Sequence, residues 1–159
     1  MPKDSQPSDQ AANPDSVRVV LLYKRQIEND EHLVKALEDH LQKNGCSVFV
    51  DRNLTLGVQW AQEIEREIAS ADAVVPLLSA GSVQSEMLGF EIEIAHESAQ
   101  KQQGRPRLLP VRVAFHDPLP EPLSGILDPI QYFLWEGQES TETLLSELQR
   151  ALADLPKTK

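Results

Sequence analysis

The residues with the clearest capacity for chemistry occupy positions 77–94, where an apolar segment turns into a helical pattern. Three serines at three-residue spacing form the turn: Ser79, Ser82 and Ser85. The helical spacing then places three apolar residues on one face: Met87, Phe90 and Ile94. Glu91 lies on the neighbouring flank, and a carboxylate there can stabilise positive charge, bind hydroxyl groups or act as a nucleophile. We therefore predict that Glu91 lines a crevice at a strand end, although a helical glutamate is more commonly a solvated residue.

The elements that must position Glu91 alternate between strands and helices. Five apolar runs predict strands over residues 17–23, 46–51, 71–78, 107–113 and 130–135. Apolar residues at helical spacing predict helices over residues 30–43, 59–70, about 85–102 and 141–155. The segment 116–127 carries three prolines and predicts a loop with at most one helical turn. We expect an α/β, flavodoxin-like three-layer sandwich with a five-stranded parallel sheet in the order 2-1-3-4-5.

The composition limits the classes of function. The formal net charge of −10 argues against nucleic acid or an anionic membrane as a partner. The single cysteine, Cys46, excludes an intrachain disulfide and favours the reducing cytoplasm. The four histidines show no metal-ligand spacing, so no metal site is predicted, and no apolar run has the length of a membrane span. We expect residues 1–16 to be a disordered lead or linker, residues 17–155 the folded domain, and residues 156–159 a tail.

Two early segments resemble the first two conserved boxes of Toll/interleukin-1 receptor homology (TIR) domains. Residues 22–25, Leu-Tyr-Lys-Arg, resemble the first box, an apolar strand closed by a Ser-Tyr pair, with Leu22 in place of the serine. Residues 48–51, Val-Phe-Val-Asp, resemble the second box. They are followed by Gly57 and Trp60, at positions that match the long loop known in the family as the BB loop.

A third segment extends this resemblance and indicates a branch of the family. Residues 79–91 read S-x-x-S-x-x-S-x-M-x-x-x-E, which is similar to the serine-rich box of plant and bacterial members. Met87 stands where those members commonly have tryptophan, and Glu91 stands where they have glutamate. The resemblance covers residues 17–155 and points to the bacterial-type, NAD-cleaving branch.

This resemblance implies an NAD+ glycohydrolase that cleaves the nicotinamide–ribose bond and releases nicotinamide and ADP-ribose, or a cyclic form of it. Glu91 is then the catalytic residue, NAD+ is a substrate rather than a cofactor, and no metal is required. Self-association through the BB loop would activate the enzyme in bacterial immune signalling, and a fused sensor or effector domain is a further expected partner. The alternative is a non-catalytic interaction module, in which three apolar residues would form a contact patch: Leu54, Leu56 and Val58.

Seven further residues are expected to frame the substrate: Tyr23, Lys24, Arg25, Asp51, Trp60, Ser85 and Met87. Lys24 and Arg25 would contact a pyrophosphate or ribose at the end of a strand. It is equally consistent with the sequence that both are solvated loop residues. Asp51 is expected either to bind a ribose hydroxyl or to form an ion pair with Arg52. Trp60 suits the core better than an aromatic base, and Ser85 is first of all a candidate helix cap.

The other glutamates of the same helix are expected to be structural or solvated. Glu86 lies in the first turn, where a negative charge suits the helix N-terminus. Glu93 lies about 200° round the helix from Glu91 and should therefore point away from the same crevice. Glu97 is likewise expected to be structural or solvated.

Overall fold

The computed structural model describes residues 16–50 and 58–155. The predicted tail, all but the last residue of the predicted lead, and residues 51–57 lie outside this part of the chain. The described strands are β1 Arg18–Leu22, β2 Ser47–Val50, β3 Ala73–Leu78, β4 Arg107–Leu108, β5 Val111–Val113 and β6 Phe133–Trp135. The described helices are α1 Glu28–Lys43, α2 Val58–Ala69, α3 Glu86–Lys101, α4 Leu123–Leu127 and α5 Thr141–Ala153.

The strands form a parallel sheet in the order β2-β1-β3-β5-β6, with β4 also paired to β3. Arg107 of β4 aligns with Ala73, and Val111 of β5 aligns with Leu77, so both segments follow β3 in one register. They are two pieces of the predicted fourth strand, and the predicted order is confirmed when they are counted together. The predicted count of five strands is wrong because Pro76 of β3 has no N–H to donate where the two segments meet.

The last strand, β6, is shorter than predicted because of a second proline. The Phe133 N–H donates to the Pro110 carbonyl over 2.9 Å, which is the first bond of the β5–β6 ladder. Extending the ladder toward residue 131 requires an N–H from Pro110, and proline has none. The prediction of a strand from residue 130 is therefore wrong over residues 130–132.

The centre of the sheet is buried on both faces. Residues 19–22 of β1 and all of β3 are buried, as expected for central strands of a parallel sheet. Helices α1 and α5 pack on one face, where Leu37 and Leu148 are fully buried. Helices α2, α3 and α4 pack on the other face, with Ile64 and Ile92 in the core. These layers confirm the predicted flavodoxin-like sandwich.

The end of α1 is a left-handed cap. Gly45 has φ +90°, a conformation that glycine adopts without the strain of a Cβ. Its N–H donates to the Gln42 carbonyl over 3.1 Å, and the Cys46 N–H donates to the Leu41 carbonyl over 2.9 Å. These two bonds form a Schellman motif, which satisfies the last carbonyls of the helix and directs the chain into β2.

Candidate functional site

The turn between β3 and α3 is held together by its own serine side chains. Ser85 caps α3, since its Oγ accepts a hydrogen bond from the Leu88 N–H over 3.1 Å, as predicted. Ser79 and Ser82 brace the turn instead: the Ser79 N–H donates to Ser82 Oγ over 2.8 Å, and the Ser82 N–H donates to Ser79 Oγ over 3.2 Å. Ser82 Oγ also donates to the Leu77 carbonyl over 2.8 Å. The turn is therefore fixed to the end of β3.

A buried carboxyl group of α1 meets this turn. The Ser79 hydroxyl donates to Asp30 Oδ2 over 2.9 Å, and Asp30 is fully buried. Oδ1 of the same side chain has no hydrogen-bond partner among the described residues. Burial raises the pKa of Asp30 to about 6; the Ser79 hydrogen bond opposes the rise and the charge of Glu31 adds to it.

Sequence reasoning did not identify Asp30, which was assigned only as the first residue of a helix. The helix begins two residues earlier, at Glu28. A usable signal was present, because Asp30 precedes Leu33, Leu37 and Leu41 at helical spacing and so shares their buried face.

Glu91 lies on α3 with 4% of its surface exposed. Three neighbours on the helix pack against the sheet: Leu88, Ile92 and Ala95. Glu93 lines a cavity of about 280 Å³ beside the proline-rich residues 120–122. Because Glu91 lies about 200° round the helix from Glu93, it occupies the opposite flank, which adjoins Phe90, the residue whose ring contacts α2. Glu86 and Glu97 are exposed and Glu93 is half-buried, so Glu91 is the glutamate of α3 that the fold encloses.

The apolar face predicted for α3 is not its buried face. Phe90 is 43% exposed and Met87 is half-buried, whereas Ile94 is buried at the edge of the core. The helix packs on the sheet through residues on the other side of its axis, which leaves Phe90 on the outer surface. Its ring contacts that of Trp60 on α2, with centroids 5.9 Å apart and planes tilted by 37°. Trp60 also packs against the core beside Ile64, as predicted.

The cations predicted for the crevice follow β1. Leu22 is in register with Pro76, so the residues after β1 and the serine turn after β3 lie at the same edge of the sheet. Tyr23 is half-buried against the core, Lys24 is exposed and Arg25 is half-buried.

Of the remaining predicted site residues, the structure describes some and not others. Ser85 is the N-cap of α3 and Met87 lies in its first turn, on the same helix as Glu91. Asp51 and the apolar residues Leu54 and Leu56 belong to the segment 51–57, which the structure does not describe.

A larger cavity, of about 740 Å³, lies at the opposite edge of the sheet. Its lining includes His96 of α3, Arg107 of β4, Tyr132 before β6 and Arg150 of α5. None of the predicted site residues that the structure describes lines it. Within residues 16–50 and 58–155, no helix is both long and apolar enough to cross a bilayer. The same residues hold no group of three His, Cys, Asp or Glu side chains placed to bind a metal ion.

Comparison with protein families gives a match to the family described as TIR domain, over residues 19–149. A comparison with curated proteins gave no match.

Solved structures share the fold. The TIR domain of the Toll-related receptor TRR-2 from Hydra magnipapillata superposes with a TM-score of 0.54 at 20% identity, covering 86% of this chain and 98% of that one. A prokaryotic SEFIR domain gives a TM-score of 0.64 at 19% identity, with 91% and 97% covered. A flavoprotein from Thermotoga maritima gives 0.60 at 17% identity, with 91% of this chain and 38% of that chain covered. At these identities the likeness concerns the fold.

Proposed function

The chain belongs to the TIR-domain family, and from this premise we propose that it is an NAD+ glycohydrolase with Glu91 as its catalytic residue. The reaction breaks the bond between C1′ of ribose and the nicotinamide nitrogen, and the bonding electrons leave with nicotinamide. Water adds to C1′ and loses a proton, which gives ADP-ribose; attack by another nucleophile of the same molecule gives a cyclic product. The pyridinium is already a cationic leaving group, so the step needs no strong general acid.

The observation that carries this proposal is the enclosure of the Glu91 carboxylate. Glutamate side chains are seldom buried, because removing a carboxylate from water is costly, and buried acids are concentrated at functional sites. Bond cleavage at C1′ develops positive charge on the ribose, as in glycoside hydrolysis. A carboxylate shielded from water interacts more strongly with that charge than an exposed carboxylate does, because less solvent screens it. Glu91 is 4% exposed, which suits this role.

The other predicted residues have supporting roles in this proposal. Lys24 and Arg25 follow β1 at the edge where β3 also ends, and they would bind the pyrophosphate. Tyr23 would border the same edge, and Asp51 would bind a ribose hydroxyl. Trp60 would present its ring to an aromatic base. Ser85 and Met87 would shape the start of the helix that carries the carboxylate.

A direct test compares two glutamates of one helix. Concentrated wild-type protein, Glu91→Gln and Glu93→Gln are each incubated with NAD+, and released nicotinamide is measured by chromatography. Glu91→Gln should lose activity by about a hundredfold or more, because the amide cannot stabilise the cationic transition state. Glu93→Gln should retain activity, since its side chain lies on the other flank. Absence of product from crowded wild-type protein, or full activity of a correctly folded Glu91→Gln protein, contradicts the proposal.

Assembly is the second part of the proposal. TIR domains interact with other TIR domains, and we propose that self-association in the bacterial cytoplasm activates this domain during immune signalling. A fused sensor or effector would supply the signal. Activity should therefore rise more steeply than protein concentration, and Leu54→Asp should reduce both the light scattering and this cooperativity.

A purely non-catalytic interaction module is the second candidate function. It is favoured by two large apolar side chains on the described surface, Phe90 at 43% and Tyr132 at 52% exposure. Concentration-dependent assembly with no release of nicotinamide at any concentration is the result that selects it.

A further inference from the structure

The buried carboxyl of Asp30 connects two layers of the sandwich at the edge of the sheet that holds the candidate site. Asp30 belongs to α1 on one face, whereas Ser79 begins the turn that leads into α3 on the other face. A second contact joins the same two segments: a Cβ added to Gly81 of the turn would come within 2.8 Å of Ile27 Cδ1, just before α1. The turn therefore rests against the start of α1 through both polar and apolar atoms.

We propose that Asp30 is a positioning residue, which holds the β3–α3 turn through the Ser79 hydroxyl and thereby sets the position of Glu91. The hydrogen bonds continue from this hydroxyl without a break. Ser79 Oγ accepts from the Ser82 N–H, and Ser82 Oγ accepts from the Ser79 N–H and donates to the end of β3. Ser85 then caps the helix that carries Glu91. The part of the inference that concerns Glu91 rests on the proposed function.

The hydrogen bond from Ser79 is strongest when Asp30 is ionised, because an ionised acceptor forms a charge-assisted bond. Protonation weakens this bond and places an O–H where Oδ1 has no hydrogen-bond partner in the described chain. The negative charge of Glu31, on the same helix, acts on the Asp30 carboxyl, and the Ser79 hydroxyl faces that carboxyl from the turn. The loop before α1 also carries Lys24 and Arg25. Because the pKa of Asp30 is about 6, openings of the turn that leave Asp30 buried should become more frequent as the pH falls through that value, although the same protonation removes the cost of burying the charge in the whole fold.

Amide hydrogen exchange tests the positioning role without relying on catalysis. The probes are the N–H groups of Ser79, Ser82 and Val83, which are bonded within the turn. With exchange corrected for intrinsic rates, Asp30→Asn should lower their protection about tenfold at pH 7, the difference between a charged and a neutral hydrogen bond. The variant should also lack the loss of protection that we expect for the wild type below about pH 6.

Two further variants make the result specific. Asp39→Asn changes an exposed carboxylate of the same helix and should leave protection unchanged. Ser79→Ala removes the hydroxyl that donates to Asp30 and accepts from the Ser82 N–H, so it should reduce protection at least as much as Asp30→Asn does. Adding Asp30→Asn to Ser79→Ala should then reduce protection little further, because Asp30 acts on the turn through that hydroxyl. Wild-type protection in Asp30→Asn, or additive effects in the double variant, overturns the proposal.

Activity supplies the second measurement. For NAD+ cleavage, Asp30→Asn should reduce kcat at pH 7 by roughly tenfold or more, through misplacement of the carboxylate, with a smaller change in KM. It should also remove the acid limb near pH 6 that is expected for the wild type. An acid limb shared by both proteins refutes the link to Glu91. A wild-type protein without activity refutes the proposed function, whereas the exchange measurement still decides the positioning role.

Discussion

Replacing Asp30 with asparagine is expected to change how the stability of the whole fold depends on pH. The side chain is fully buried, and burial raises the pKa of its carboxyl from 3.8 to about 6. The folded protein therefore keeps the Asp30 proton up to about pH 6, whereas the unfolded chain releases it near pH 4. Unfolding in this window releases a proton, so the Asp30 contribution lowers the stability as the pH rises from about 4 to about 6.

The size of the effect follows from the pKa difference. At 1.36 kcal/mol for each pKa unit, the rise to about 6 corresponds to about 3 kcal/mol. Asparagine does not ionise, so the stability of the variant relative to wild type should increase by about this amount between pH 4 and pH 7. Below about pH 4 the free energies of unfolding of the two proteins should differ by about 1 kcal/mol or less. The neutral carboxyl and the amide each place a hydrogen-bond donor at the position of Oδ1, which has no partner among the described residues.

Urea unfolding at a series of pH values between about 4 and 8 measures the difference in the free energy of unfolding. Asp39→Asn is the matched control, because Asp39 is exposed on the same helix and pairs with Lys35 over 3.4 Å. Exposed pairs of this kind contribute about 0.3–0.5 kcal/mol, so its difference from wild type should stay nearly constant. If the Asp30→Asn difference is equally constant from pH 4 to pH 7, the carboxyl is not destabilised by burial and the reasoning fails.

Three further substitutions test other parts of the structure. Gly45→Ala should lower the free energy of unfolding by about 1–2 kcal/mol in urea titrations, because φ is +90° and no neighbouring atom would compensate for the strain; an unchanged midpoint would contradict the cap. Asp72→Ala should cost about 1–3 kcal/mol by the same assay, since it removes acceptors for Arg105 Nε at 3.1 Å and for the Arg18 N–H at 2.9 Å; a neutral result would show that both donors find water instead. Phe90→Ala should cost about 1 kcal/mol and red-shift tryptophan fluorescence, because it uncovers the ring that it contacts on α2; an unshifted spectrum would argue against that contact.

The fold was largely predictable because its pattern is local. Apolar runs and helical spacing identified the strands and helices in their observed order, with ends mostly within three residues. The two errors in the sheet have one physical origin. A proline has no N–H, so it removes the ladder hydrogen bond to whichever carbonyl lies opposite it on the neighbouring strand. The effects of Pro76 and Pro110 depend on the strand register, and a single segment does not reveal that register.

The candidate site was predictable only in part, for a related reason. Ser85 was identified as a cap because its partner, Leu88, lies three residues away. The outward position of Phe90 was missed, because several faces of α3 carry apolar residues and only packing selects the one that meets the sheet.

The sequence by itself determined the alternation of strands and helices, the two-faced burial of the central strands and the family to which the chain belongs. These features depend on residues close together in the chain, where periodicity and spacing fix the outcome. Only the tertiary structure determined that the flank of α3 carrying Glu91 is buried. It also determined that Asp30 accepts a hydrogen bond from the Ser79 hydroxyl, 49 residues away. Such contacts form between distant segments that the crossovers and the sheet register bring together.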